Sequence, residues 1–201
     1  MCEKPLNIEI PQLIVKSTQE SIADLAALFY HNPSFELNLM GVTGTNGKTT
    51  IAHLVQKIFE QDRKKCALIG TLGYKFSSKD DYLEAKHTTP QAPQMQETLN
   101  KILEADILNV ITEVSSHALE QFRVKNCKFS GAIFTNLTQD HLDYHITMEN
   151  YFNAKAKLFK SLQEGSFAVI NNDDKYSQNF IDVIPKGVRI LTYGVKNNSD
   201  V

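Results

Sequence analysis

The sequence predicts an α/β protein built on a doubly wound, mostly parallel sheet, with a P-loop and helices on both faces. Two observations predict this class: apolar runs alternate with helical stretches, and a glycine-rich turn follows the first run of that alternation. The apolar runs lie near 37–43, 67–70, 107–114, 131–136, 167–171 and 189–194, and the helical stretches near 49–61, 91–104, 147–162 and 174–183. Ligands bind at the carboxyl ends of the strands in such sheets, so residues that follow each run are candidates for a site.

The composition is that of an ordinary globular chain. Of its 201 residues, 42% are hydrophobic and 22% are charged, which excludes a disordered or fibrous protein. The net charge of -2 leaves no excess of basic residues for binding nucleic acid. The N-terminus lacks an apolar signal core, and no apolar stretch approaches the ~18 residues of a membrane span. Three scattered cysteines indicate a reducing compartment. We expect a cytoplasmic monomer with no membrane partner.

The first residues predict a short segment ahead of the sheet. The apolar patch Leu13-Ile14-Val15 suggests one strand with nothing beside it. Ser17 and Glu20 form a capping box, which predicts a helix that Asn32-Pro33-Ser34 ends.

The glycine-rich turn has the composition of a phosphate-binding loop. It runs Gly44-Thr45-Asn46-Gly47-Lys48-Thr49-Thr50, and apolar residues at helical spacing follow it: Ile51, Leu54, Val55, Ile58 and Phe59. Backbone N–H groups and the helix N-terminus would bind a phosphate, Lys48 would neutralise the outer phosphates, and the Thr49 hydroxyl would hold Mg²⁺. Val42 stands where the strict pattern has glycine. The alternative is a glycine-rich turn with an incidental lysine.

Glu113 is the last residue of the strand predicted over Leu108–Glu113. A carboxylate at the carboxyl end of a strand, across from Thr49, is where a second Mg²⁺ contact belongs in a P-loop protein. The alternative is a solvated loop residue, which a lone glutamate in this place usually is.

Lys155 lies on the apolar face of the helix that Thr147 is predicted to cap, whereas Lys157 and Lys160 point elsewhere. One interpretation is that its stem runs along the face and brings the amine to water. The other is a buried neutral amine that takes up CO₂, giving a carbamate that holds Mg²⁺. His141 and His145, four residues apart, do not predict a zinc helix because Leu142 replaces the required glutamate.

Five segments of the chain resemble the Mur ligase family, and within it the MurE type, in the same order: GVTGTNGKTT (41–50), HTTP (87–90), EVSSHALEQFRV (113–124), TNLTQDHLDYH (135–145) and YFNAKAKLF (151–159). The resemblance covers nearly all of residues 20–195. TGTNGKT alone also fits the MurF type and folylpolyglutamate synthases, whereas the HTTP, EVSSHAL and YFNAKAKLF segments point to the MurE type. That type adds the third amino acid to UDP-N-acetylmuramoyl-L-alanyl-D-glutamate (UDP-MurNAc-L-Ala-D-Glu) in peptidoglycan synthesis.

The resemblance implies roles for single residues. It implies that Lys48 and Lys155 are catalytic and that Lys155 is carbamylated. It places Asn136 near the nucleotide and assigns the ATP phosphates to the loop residues Gly44, Thr45, Asn46, Gly47, Lys48, Thr49 and Thr50. One Mg²⁺ is assigned to Thr49 and Glu113, and a second to His141 and Lys155. The muramoyl dipeptide is assigned to His87, Thr88, Thr89, Ser115, Gln121 and Arg123. His87 stands where relatives often have asparagine, and the alternative for Arg123 is a surface arginine after a helix.

The implied reaction is ATP-driven amide formation. The D-glutamate carboxylate attacks the γ-phosphate and gives an acyl phosphate and ADP, and the amine of meso-diaminopimelate or L-lysine then displaces phosphate. Two Mg²⁺ ions and Lys48 would spread the charge of the transferring phosphoryl group.

The resemblance also implies a domain division. Residues 1–34 are expected to be the remnant of an N-terminal domain with its linker helix, 35–201 the central ATP-binding domain, and the C-terminal domain absent. We therefore expect that the chain alone does not complete the ligation. Two alternatives stay open: a non-catalytic ATP-binding remnant, which binds ATP without releasing ADP, and another P-loop ligase or a kinase, whose activity would survive Lys155→Ala.

Overall fold

The computed structural model describes residues 1–84, 87–140 and 142–201. Within these residues the strands are β1 (Asn38–Thr43), β2 (Cys66–Gly70), β3 (Gly73–Lys75), β4 (Asn109–Glu113), β5 (Gly131–Phe134), β6 (Phe167–Asn171) and β7 (Arg189–Tyr193). The helices are α1 (Thr18–Phe29), α2 (Lys48–Gln61), α3 (Ala92–Glu104), α4 (Ser116–Glu120), α5 (Leu142–His145), α6 (Met148–Lys160) and α7 (Ser177–Asp182), with a 3₁₀ turn at Pro33–Phe35.

The strands of the described chain form one sheet in the order β3-β2-β4-β1-β5-β6-β7. Every neighbouring pair from β2 to β7 is parallel, and only β3 runs antiparallel, to β2. The order reverses around β1, so the loops after β1, β4 and β5 meet at one edge of the sheet. The predicted doubly wound, mostly parallel sheet is confirmed.

Core side chains alternate between the two faces of the sheet. On β1, Leu39 packs into the core beneath α3, α6 and α7, whereas Met40 and Val42 pack on the opposite face beneath α2. Residues of β2, β4 and β5 alternate in the same way. A strand buried on both faces reads as a continuous apolar run, which is why these strands were predictable from the sequence.

Helix α2 buries part of the predicted apolar face together with two residues outside it. Leu54 and Ile58 are exposed, whereas Ala52 and Gln56 are fully buried. Small Ala52 lets the helix approach the sheet closely, and the Gln56 amide donates a hydrogen bond to the carbonyl of Cys66, 2.8 Å away. The predicted helix is confirmed. Of its predicted apolar residues, Ile51, Val55 and Phe59 pack against the sheet, whereas Leu54 and Ile58 do not.

The N-terminal segment contains a helix but no strand. Ser17 caps α1 by accepting a hydrogen bond from the backbone N–H of Glu20, as predicted. The predicted strand at 13–15 is wrong: Ile14 makes only an isolated bridge to Cys2, because this stretch lies away from the sheet with Leu13 exposed. Within the described residues, no helix combines the length and the apolar character that crossing a membrane requires.

Candidate functional site

The phosphate loop is fastened to the end of β5. The backbone N–H of Thr45 donates to the carbonyl of Asn136 (2.8 Å), and the Asn136 side chain both accepts from the N–H of Asn46 (3.0 Å) and donates to its carbonyl (3.1 Å). The Thr135 hydroxyl donates to the same Asn46 carbonyl at 2.7 Å. Asn136 therefore lies beside the phosphate loop, where its bonds hold the loop backbone in shape.

Two glycines allow the loop its path. Gly44 has a φ of +150°, and a Cβ there would lie 1.9 Å from the Thr135 hydroxyl, so only glycine lets the loop approach β5. Gly47 adopts a left-handed conformation with a φ of +85° and begins α2. The first backbone N–H groups of that helix consequently point out of the loop, as a phosphate site requires.

Lys48 lies in the first turn of α2 and folds over the loop. Its amine donates to the carbonyls of Gly44 and Thr45, both at 2.9 Å. Burial lowers the pKa of this amine, while the negative charges of Glu113 and Asp140 oppose the shift. The side chain therefore holds a cation at the mouth of the loop, where a bound phosphate would meet it.

Thr49 and Glu113 form a cluster of oxygen atoms with Thr71, at the carboxyl ends of β4 and β2. The Thr49 hydroxyl donates to the Glu113 carboxylate at 2.9 Å. The Thr71 backbone N–H and hydroxyl donate to the same carboxylate at 3.0 and 3.1 Å. Glu113 is 1% exposed, so it is no solvated loop residue. Thr71 was not predicted as a site residue. The signal that could have found it is its position directly after a predicted strand, at the same edge of the sheet as Glu113.

Gly70 makes room for the carboxylate, and this leads to a testable prediction. A Cβ on Gly70 would lie 2.2 Å from Oε1 of Glu113, so Gly70→Ala must push the carboxylate away from Thr71 and Thr49. We expect a loss of about 1–3 kcal/mol in the free energy of unfolding and weaker Mg²⁺-dependent nucleotide binding. Thermal unfolding with and without Mg²⁺ and nucleotide measures both effects.

The matched control is Gly165→Ala. A Cβ there meets nothing within 4 Å, so the variant carries only the backbone cost of a φ of +85°. Nucleotide binding should be unchanged in this control, and a Gly70→Ala variant that behaves in the same way would contradict the prediction.

Lys155 is buried on the inner face of α6, as its position on the apolar face predicted. It is 1% exposed, and its amine donates to the carbonyl of Gly44 at 2.8 Å, so its stem does not carry the charge to water. Burial lowers the pKa of this amine well below its usual range, and the neighbouring charge of Lys48 lowers it further. Lys157 and Lys160 are exposed. A buried amine with a lowered pKa thus lies directly beneath the phosphate loop.

Tyr151 links the same helix to the loop and was missed as part of the site. Its hydroxyl lies 3.3 Å from the Thr45 hydroxyl, and its ring faces the amine of Lys155 at 4.6 Å. The Thr45 hydroxyl is also 3.2 Å from the carbonyl of Thr138. Only its place at the head of the segment YFNAKAKLF, one turn before Lys155, could have marked Tyr151 in the sequence.

Four of the residues assigned to the muramoyl dipeptide form one connected group beside Glu113: Thr89, Ser115, Gln121 and Arg123. The buried Thr89 hydroxyl lies 2.9 Å from the Glu113 carbonyl and accepts from the N–H of Ser115 at 3.1 Å. Arg123 donates to the Thr89 carbonyl (3.0 Å) and to the side chain of Gln121 (2.6 Å). Arg123 is only 9% exposed, which contradicts the alternative of a surface arginine. Its bonds hold the Thr89 segment in place.

A cavity of about 270 Å³ lies between the phosphate loop and the residues assigned to the muramoyl dipeptide. It is lined by Thr45, Asn46, Gly47, Lys48, Thr49, Thr50, Thr71, Thr88, Glu113 and Ser115. Of the other assigned residues, Asn136 and Lys155 contact the loop. Thr89, Gln121 and Arg123 do not line the cavity, and Thr89 bonds to Ser115, which does. His87 is exposed, and His141 lies outside the described residues.

The donor atoms in this cavity fit a magnesium nucleotide. Hydroxyl and carboxylate oxygens are the ligands that Mg²⁺ prefers, and this ion commonly uses one or two protein ligands together with phosphates and water. Among the described residues no group of three or more His, Cys, Asp or Glu side chains is arranged to hold a metal ion. The Thr49–Glu113 pair supplies oxygen atoms that could hold Mg²⁺, beside a loop that can receive phosphates.

Comparison with known proteins shows which family this chain is similar to. The family model described as "Mur ligase middle domain" matches residues 42–201. A protein of Bacillus cereus named UDP-N-acetylmuramoyl-L-alanyl-D-glutamate–2,6-diaminopimelate ligase is 41% identical over 207 residues, covering 100% of this chain and 41% of the relative. A protein of the same name from Synechocystis sp. is 49% identical over 177 residues, covering 88% of this chain and 34% of the relative.

A solved structure agrees with the sequence relatives. It is that of a UDP-N-acetylmuramoyl-L-alanyl-D-glutamate–2,6-diaminopimelate ligase, similar with a TM-score of 0.85 and 32% identity over 98% of this chain and 40% of that one. The chain thus spans about two fifths of the length of this protein and of the Bacillus cereus relative. These similarities are to ligases of the MurE type. Because the family match extends over residues 42–201, the chain belongs to the Mur ligase family through its middle domain.

Proposed function

We propose that this chain is the nucleotide-binding part of an ATP-dependent amide ligase that adds the third amino acid to UDP-MurNAc-L-Ala-D-Glu. The observation that carries the proposal is the single cavity in which the Lys48 amine, the Thr49–Glu113 pair and Thr88 meet. The relatives' names supply the chemistry, and they name 2,6-diaminopimelate as the amino acid. We accordingly propose that amino acid over L-lysine.

In this proposal the phosphate loop positions the outer phosphates of ATP. The first N–H groups of α2 and the amine of Lys48 would bind them, and Lys48 would exchange its bonds to the loop carbonyls for charge-assisted bonds to phosphate oxygens. Thr49 and Glu113 would hold a Mg²⁺ ion, which when bound neutralises the charge of the phosphates.

The acceptor substrate is proposed to enter from the side of the cavity formed by Thr88 and Ser115. The Thr88 hydroxyl lies 3.2 Å from that of Thr71, which in turn bonds to Glu113. A substrate carboxylate held by these hydroxyls would face the last phosphate at short range. Such positioning is the main protein contribution to phosphoryl transfer, because the reaction itself needs little covalent help.

Lys155 is proposed to react with CO₂. Its amine nitrogen forms a bond to the carbon of CO₂ and loses one proton, which gives the carbamate anion (N6-carboxylysine). The lowered pKa supports the proposal, because only the neutral amine carries the lone pair that this bond requires. The anion would exchange the present bond to Gly44 for a cationic partner, and with His141 it would serve a second Mg²⁺.

The carbamate leads to a direct prediction. A sample incubated with ¹³C-bicarbonate and Mg²⁺ is expected to show one ¹³C carbamate resonance that disappears in Lys155→Met. The matched control is Lys157→Met, because Lys157 lies on the exposed face of the same helix and pairs with Glu120 at 2.8 Å. A resonance that survives Lys155→Met, or that disappears in the control, would contradict the assignment.

The organisation and location of the protein are part of the proposal. Residues 1–34 are proposed to be the linker segment of a preceding domain, and 35–201 the central ATP-binding domain. The segment is attached to the domain through Lys125, whose amine pairs with Glu20 and Asp24 at 2.8 and 2.9 Å. Cys2, Cys66 and Cys127 are free thiols, which supports a reducing, cytoplasmic location.

Calorimetric titration of this chain tests the proposed function. We expect it to bind β,γ-methylene-ATP only with Mg²⁺, and to bind UDP-MurNAc-L-Ala-D-Glu more tightly than UDP-MurNAc without the dipeptide. A chain that binds neither ligand would contradict the proposal. Binding of the nucleotide alone would favour a non-catalytic nucleotide-binding module.

A further inference from the structure

A segment after β3 is attached to the middle of helix α2. The hydroxyl of Tyr82 contacts Nε2 of His53 in a short hydrogen bond. On its other side, Nδ1 of His53 lies 2.7 Å from the carbonyl of Thr49, in the first turn of the same helix. Both rings are half-buried. Tyr82 is therefore connected through one imidazole to a residue that lines the cavity.

The bonding pattern of the pair is fixed by chemistry. A carbonyl oxygen only accepts, so Nδ1 of His53 must carry the hydrogen that is shared with Thr49. In the neutral ring Nε2 is then the acceptor, and the Tyr82 hydroxyl donates to it. Each polar atom of the pair consequently has one defined partner.

A second attachment lies further along the helix. The carboxylate of Glu60 accepts from the backbone N–H of Ser78 at 2.6 Å and from the hydroxyl of Ser77 at 3.3 Å. The amine of Lys75 faces the ring of Tyr82 at 4.6 Å from its centroid. The segment from Ser77 to Tyr82 thus lies along α2, held at both ends by side chains.

The same segment leads to the threonines beside the cavity. Leu83 exchanges two backbone hydrogen bonds with Tyr74 at 2.9 and 3.0 Å, and Tyr74 lines a second cavity together with Pro90, the residue that follows Thr89. Thr89 accepts from the N–H of Ser115 at 3.1 Å, so the amide of Ser115 reports whether Thr89 is in place.

We propose that Tyr82 and His53 form a positioning pair that couples nucleotide binding at the start of α2 to the placement of Thr88 and Thr89. A nucleotide that fixes Lys48 and Thr49 orders the first turn of α2, and the bond from Thr49 to His53 extends that order to Tyr82. Neither residue of the pair lines the cavity, so the pair acts through other residues. The inference rests on the proposed function, since it requires that the loop binds a nucleotide.

Amide hydrogen exchange of the whole chain, followed by NMR, tests the pair. In the wild type we expect Mg²⁺ with β,γ-methylene-ATP to slow exchange of the Ser115 amide by about threefold to tenfold, the range that one hydrogen bond supplies. In Tyr82→Phe and in His53→Asn the slowing should vanish, while affinity for the nucleotide stays within about twofold because neither residue touches it. The double variant should lose no more than either single variant.

The matched control is Tyr193→Phe. It removes another half-buried hydroxyl, one that lies 3.3 Å from the carbonyl of Phe134, and should keep the nucleotide effect on Ser115.

Three results would overturn the coupling. Exchange at Ser115 that quickens equally with and without nucleotide in Tyr82→Phe would show a merely structural role. Slowing that persists in both single variants would show that the effect passes through Glu113 or through direct shielding. A large loss of nucleotide affinity in Tyr82→Phe would place Tyr82 in the nucleotide site. Failure of the wild type to bind nucleotide is a different outcome, because it overturns the proposed function itself.

Discussion

Lys48→Met is expected to weaken binding of the magnesium nucleotide by about 10-fold to 150-fold, the range that charge-assisted hydrogen bonds supply. The amine of Lys48 is the cation at the mouth of the phosphate loop, 2.9 Å from two loop carbonyls. The fold should survive, because the Gly44 carbonyl keeps its second donor, Lys155. Calorimetric titration with Mg²⁺ and β,γ-methylene-ATP measures the loss.

The control for this prediction is Lys160→Met, which removes an exposed lysine of α6 and should leave affinity unchanged. Equal affinities of Lys48→Met and the wild type would mean that the loop does not bind phosphates through this residue. The glycine-rich turn would then be the structural turn that the sequence left open as an alternative.

Lys155→Met is expected to stabilise the fold by about 1–3 kcal/mol near neutral pH, because methionine fills the same volume without a buried amine. For a chain of this size such a gain raises Tm by roughly 2–4 °C for each kcal/mol. The same substitution removes the proposed carbamate. Lys155→Met would thus raise the stability of the fold and remove the proposed function of the side chain. Such a trade-off is common where a functional site holds a buried group that destabilises the fold.

The stability of the wild type should also depend on pH in a defined direction. Burial lowers the pKa of Lys155 in the folded chain, so between that value and the ordinary lysine pKa of about 10.4 the unfolded chain binds more protons. The free energy of unfolding therefore rises with pH across this window, and in Lys155→Met that rise should be absent.

Denaturant unfolding at a series of pH values measures both effects, with Lys157→Met as the control that should match the wild type. A Lys155→Met variant that is less stable than the wild type at neutral pH, or that keeps the same rise with pH, would contradict the argument.

Much of the fold was predictable because its signals are local. Of the six parallel strands, β1, β2, β4 and β5 are apolar runs buried on both faces. Ser17 and Thr147 cap their helices by accepting hydrogen bonds from the backbone N–H groups of residues three positions later. What was missed is short: β3 spans three residues, and α4 and α5 span five and four. Elements of this length have no period to detect and form only because the surrounding structure holds them.

The candidate site was predictable to the extent that a single element carries it. The phosphate loop follows a predicted strand, and Glu113 ends another. Helical periodicity placed Lys155 on a buried face, and the side chain is 1% exposed. The apolar face of α2 was predicted only in part. Periodicity weighs Leu54 and Ile58 by hydrophobicity, whereas the sheet accepts the small Ala52 and the hydrogen-bonded Gln56 beside Ile51, Val55 and Phe59.

By itself, then, the sequence determined the order of the strands and helices, the phosphate loop and the buried face that holds Lys155. Only the tertiary structure decided that Thr71 bonds to Glu113 across 42 positions, that Thr45 meets Tyr151 across 106, and that Tyr82 reaches His53 across 29. The physical reason is that periodicity and capping report contacts within a few residues of the same chain segment. Contacts between the ends of different strands depend on how the sheet orders them, and that order is set by packing of the whole domain.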